Sequence, residues 1–288
     1  MMRFYIRMLC KRYSTKKYTG ALDFLKHIQK VQNKCVMSDF GSDHKSFLIE
    51  DYMSVYNKLR LSDSNKSFFC YYHHDGIGGM PFIMAIDKNS NVPNKIDEMY
   101  KKSEKSVSLL EYDEPVSFME SHSAKGYMIP EDSHIGYVQL LHFLEFGENF
   151  ALFWHAHMSG KYVVTSVEQI KERVDSWERG PYQHRYKIEM DESDIYQYMV
   201  NSSYKPSEDE IEKRKKRIQQ DFENARALKA SDLVPQIEML EDYCTIEWVE
   251  CYNNHGLYRC KYQISRKDYC VSKISETPVL SVKPTFMY

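Results

Sequence analysis

Apolar positions along the chain recur with two periods. In "ALDFLKHIQKVQ", residues 21–32, Leu22, Leu25, Ile28 and Val31 stand three apart, which predicts a helix with Thr19 as its cap. The same logic predicts a second helix over about 44–60, "HKSFLIEDYMSVYNKLR". In "FFCYYHHDGIGGMPFIMAI", residues 68–86, two apolar runs flank a glycine-rich break. That pattern predicts an antiparallel hairpin whose loop runs from Asp75 to Gly79, with Gly76, Gly78 and Gly79 supplying positive φ.

Further along, a helix is expected over about 136–146, closed by Gly147. Strands at 149–157 and 161–165 follow, joined by Ser159-Gly160 into a second antiparallel hairpin. Ser166 with Gln169 makes a capping box for a helix that Gly180-Pro181 ends. A strand at 184–190 and a helix from Asp191 to about Val200 repeat the pattern.

The character then changes. Asn201 to Pro206 reads as a linker, and Ser207 with Glu210 forms another capping box. Ile211, Ile218, Phe222 and Ala225 make a thin apolar stripe, so a charged surface helix with one docked seam is expected near 207–230. From about 243 the chain alternates with period two. Pairing Tyr252 with Tyr258 puts Ile246, Trp248, Cys260, Tyr262 and Ile264 on one face of a C-terminal hairpin. The fold class that emerges is α+β: antiparallel hairpins with flanking helices, a charged surface helix and a C-terminal β-hairpin region. The expected division is a basic arm over 1–18, a main α+β domain over 19–200, and residues 201–288 packed on it.

Composition narrows the class. With 42% apolar and 28% charged residues over 288 positions, the chain is globular and large enough to bury a core without staples. A net charge of −2 disfavours a dedicated nucleic-acid binder. Seven cysteines without small-domain spacing read as reduced thiols in an intracellular, cytoplasmic protein. No apolar run reaches the length of a transmembrane helix. Residues 1–20 are basic and free of acids, a pattern similar to a mitochondrial presequence and an alternative address.

Candidate chemistry clusters at two places. On a strand, His155 and His157 of "FWHAHM" project from one face, as His-x-His chelators do. Joined to His73 or His74, with Asp75 or Glu148 beside them, they would hold zinc or another divalent transition metal with a position left for water. The plainer expectation is half-buried, hydrogen-bonded histidines and no cofactor. The second place is "EKRKKRIQQ", where Lys213, Arg214, Lys215, Lys216 and Arg217 form a basic run. Its plain reading is the solvated face of the capped helix, the sharper one a phosphate-contact surface.

Two further patterns fall short. "DKNSNVPNKIDE", residues 87–98, has Val92 where a calcium loop needs glycine. Cys244, Cys251, Cys260 and Cys270 with His255 lack zinc-ribbon spacing. Without a complete catalytic motif, the sequence reads as a binding or assembly protein with a protein partner, and a metal-dependent hydrolase is the alternative.

Overall fold

The central strand of the molecule explains most of its architecture. In "YCTIEWVECY" the even positions Cys244, Ile246 and Trp248 and the odd positions Val249 and Cys251 are all buried, so both faces of the strand are covered. This computed structural model describes residues 16–35, 49–74, 78–89, 123–147, 153–154, 161–179, 206–252 and 256–281.

In chain order the elements are β1 (Lys16–Lys17), α1 (Thr19–Cys35), α2 (Ile49–Val55), β2 (Leu59–Leu61), β3 (Lys66–His74) and β4 (Gly78–Asp87). A short 3-10 turn leads to β5 (Met128–Pro130) and α3 (His134–His142), which continues as a π-helical turn over Phe143–Gly147. Then come β6 (Phe153–Trp154), β7 (Lys161–Val163), α4 (Val167–Arg179) and α5 (Glu208–Arg226). The chain closes with β8 (Gln236–Met239), β9 (Tyr243–Tyr252), β10 (Gly256–Ser265) and β11 (Val271–Ser281).

The main sheet has the order β1-β8-β9-β10-β11, with β7 also pairing β9. All its pairs are antiparallel. One core fills the even face of β9. There Leu25 and Ile28 of α1, Tyr56 after α2, and Leu141 and Phe143 of the α3 layer meet Ile246, Trp248 and Tyr262. A second core fills the odd face, where Ile170, Val174 and Trp177 of α4 and Phe222 and Ala225 of α5 meet Val249, Cys251 and Leu257. The α+β class and the C-terminal hairpin region are as expected, arranged as helices on both faces of an antiparallel sheet. Two smaller sheets, β2-β5 and β3-β4-β6, flank it, and Ile83 and Ala85 of β4 join the first core.

Several expectations need correction. In place of the hairpin expected over 149–165, the described strands of that stretch enter different sheets: β6 pairs with β4 and β7 pairs with β9. Alternation marks a strand but not its partner, and β7 lies beside the doubly buried strand β9. The 68–86 hairpin forms, yet Gly78 and Gly79 lie inside β4, paired with Trp154 and Phe153, and are not loop residues. The helix expected over 44–60 stops at Val55, where Leu59–Leu61 turns away to pair with β5, and residues 44–48 lie outside the described residues. The C-terminal hairpin pairs Tyr252 with Gly256, two residues tighter than expected. The elements expected at 184–190 and 191–200 lie outside the described residues, as do residues 1–15.

The two capping boxes form. Ser207 Oγ accepts from the Glu210 N–H at 3.3 Å while Glu210 Oε2 accepts from the Ser207 N–H at 2.8 Å. At the start of α4, Ser166 Oγ accepts from the Gln169 N–H at 3.2 Å, and Gln169 Oε1 accepts from the Ser166 N–H at 3.3 Å.

Candidate functional site

The expected metal ligands are placed only in part. His155, His157, Asp75 and Glu148 lie outside the described residues. His73 and His74 close β3, opposite Met80 and Gly79. On the other edge of β4, Gly79 pairs with Phe153. The backbone thus brings the end of β3 and the strand that precedes His155 to the two edges of β4. Among the described residues no group of three His, Cys, Asp or Glu side chains is placed to hold a metal. Asp87, first residue of the calcium-loop pattern, ends β4 and accepts from Lys66 Nζ at 3.0 Å.

The basic run lies on α5. Ile218, Phe222 and Ala225 dock against the second core. On the opposite side Lys213, Lys216 and Arg217 are exposed. Lys215 is also exposed and lies 3.9 Å from Glu212, while Arg214 is half-buried. The helix therefore carries the expected docked seam and solvated face.

The densest polar site was not anticipated. Glu250 sits in the middle of the main sheet with no exposed surface, facing the first core. Trp248 Nε1–H donates to its Oε1 at 2.7 Å, Tyr262 OH to Oε1 at 2.6 Å, and Tyr252 OH to Oε2 at 2.8 Å. These donors sit two residues away on β9 or across on β10, because residues of equal parity share a face. Lys273 of β11 donates to Tyr252 OH at 2.6 Å and to Glu276 at 2.7 Å, with its ammonium 4.0 Å from Glu250. Beside this group Lys161 donates to Glu145 of the π turn at 2.6 Å, and its ammonium lies 4.9 Å from the Phe146 ring.

Burial and the neighbouring charges shift the groups of this cluster in opposite directions. Burial and then the Glu250 charge push the Tyr252 and Tyr262 hydroxyls well above their ordinary range. Burial lifts the Cys260 thiol to about 12, with Glu250 adding to it. Burial draws Lys273 downward, but its hydrogen bond to Glu276 and the Glu250 charge outweigh that, and the ammonium is held. The same hydrogen bond lowers Glu276. A carboxylate satisfied by three neutral donors is the arrangement a buried charge needs.

A second buried chain runs through the layer above. Tyr52 OH donates to Gly147 O at 2.7 Å and accepts from Gln32 Nε2 at 3.1 Å. Its one proton is thus spent, so Tyr56 must donate across the 3.2 Å contact to Tyr52, and His142 Nδ1–H must donate to Tyr56 at 2.9 Å. Burial lowers His142 to about 3, which keeps it neutral.

The cysteines follow the same rule. Cys251 faces the second core and Cys260 the first, as the alternation predicts, and burial lifts Cys244 to about 12. Glu250 shares the parity of Trp248 and Tyr252, and that is the one sequence signal that could have flagged it.

In comparisons with known proteins, no family model, no curated protein and no solved structure matches this chain.

Proposed function

We propose that the chain is a binding or assembly protein that works through its outer surface with a protein partner. The observation that carries this reading is the state of the interior. The buried Glu250 carboxylate is taken up by three donors of its own sheet, and burial holds Cys244, Cys260, Tyr262 and His142 away from reactive protonation states. Polar chemistry of this kind ties strands together. The surface, by contrast, offers an exposed cationic helix face on α5 and an exposed strand β11.

Among the described residues no helix is long and apolar enough to cross a membrane. The test is crosslinking of the full chain in its source cells, followed by reconstitution with the purified candidate. A single partner that re-forms a stable complex supports the reading.

A metal-dependent hydrolase is the second reading. Its support is the convergence of β3, ending in His73–His74, and β6, just ahead of His155, on the two edges of β4. Stoichiometric zinc, iron or manganese in the purified protein, together with hydrolysis that a chelator abolishes, would replace the binding reading with this one.

A further inference from the structure

We propose that the outer face of α5 docks a short acidic segment of a partner protein; this rests on the binding reading above. Lys213, Lys216 and Arg217 stand at i, i+3 and i+4, a spacing that stacks them on one side of a helix. All three are exposed, and none forms an ion pair among the described residues. The opposite side of the helix is fixed to the sheet through Ile218, Phe222 and Ala225, so the cations are presented on a rigid support. The capping box at Ser207 and Glu210 stops the first turn from fraying.

The size of the patch selects the occupant. Lys213 and Arg217 are separated by about 6 Å along the helix axis, from a rise of 1.5 Å per residue. Two acids at alternate positions of an extended peptide are about 6.8 Å apart on one face, which matches that spacing. A long polyanion fits worse. Asp209 lies one turn before Lys213 on the same side, and Glu223 follows the patch, so a continuous run of phosphates would meet like charge at both ends. A partner segment with acids at alternate positions completes the face without touching those ends.

The test uses the full chain and a fluorescein-labelled peptide of alternating glutamate and serine, followed by anisotropy at low and physiological salt. Saturable binding is expected, weakening as salt rises. Neutralising the patch with Lys213→Gln, Lys216→Gln and Arg217→Gln together should weaken it by about tenfold, since several exposed pairs act in concert. Glutamine keeps the helix propensity, so the melting temperature should hold. A charge-matched control, Lys26→Gln, Lys229→Gln and Lys267→Gln, should stay within about twofold. Equal weakening by both triples, no saturable binding, or tighter binding of oligothymidylate or phosphatidylserine vesicles than of the peptide would overturn the proposal. Such a failure beside a reconstituted partner complex would remove only this site. Failure of that complex itself would remove the binding reading.

Discussion

Strands β9 and β11 lie on the two sides of β10 and are nearly equal in length, yet they meet opposite fates. In β9 both faces are buried, each by a helical layer, and its ladder with β10 runs without interruption from Tyr243 to Tyr252. In β11 residues 272–278 are exposed, and its ladder breaks at Ile274 and Val279, which have no partner on β10. Ile274 is 48% exposed. The two bulges and Pro278 are devices that keep an edge from recruiting further strands. Interior polar groups serve β9 as cross-strand ties, whereas those of β11 stay in reach of solvent. The consequence is that stability is concentrated in the sheet's middle, while its β11 margin stays open to solvent.

The comparison can be broken first at Trp248. Trp248→Ala should cost about 3–5 kcal/mol in a urea titration, because a fully buried indole is replaced by a cavity. Ile274→Ala on β11 should stay within about 0.5 kcal/mol. An equal loss at both positions would mean that β11 is as covered as β9.

The carboxylates give the next contrast. Glu250→Ala strands the Trp248, Tyr252 and Tyr262 donors and should cost about 3 kcal/mol. Glu276→Ala, whose side chain is 39% exposed, should cost less than about 1 kcal/mol.

Acid should act through the layer over Trp248. Phe146 lies 5.9 Å from Trp248 and 5.4 Å from His142, ring centre to ring centre. His142 is lowered to about 3 in the folded chain, so only the unfolded chain takes up its proton between pH 6.5 and 3. Stability from this group is therefore complete above pH 6.5 and falls with pH, by about 2 kcal/mol between 6.5 and 5. In His142→Phe that part of the slope should vanish from denaturation curves collected across the pH range. The smallest effect is expected at the covering helix, where Ser207→Ala should cost about 1 kcal/mol by removing the cap of α5.

Much of this contrast was legible in the alternating sequence. The face shared by Ile246, Trp248, Cys260, Tyr262 and Ile264 came out correctly although the register was off by two, because a shift of two preserves side-chain parity. The register itself follows from Gly256, whose φ of 121° is open to glycine and closed to most other residues. The helix caps were legible for the same local reason, since Ser207–Glu210 and Ser166–Gln169 are short-range patterns. Pairing between distant segments was not. "KYV" carries no mark that says β9 and not the strand before it, and β4 gives none that it will accept β6. Glu250 was missed because one acid in an apolar strand reads as a solvent-facing residue until the helical layers are in place. The histidines at the ends of the two runs were legible as residue types only, since His155 and His157 lie outside the described residues.

The contrast between the two strands is tested most directly by native-state amide hydrogen exchange on the whole protein. The account predicts that the amides of β9 exchange only with global unfolding, in step with the stability from denaturant titration. Amides from Ile274 to Thr277 in β11 should exchange by local opening, orders of magnitude faster. Protection in β11 equal to that in β9 would show that the edge is covered, and would contradict the division between a buried middle and an open margin.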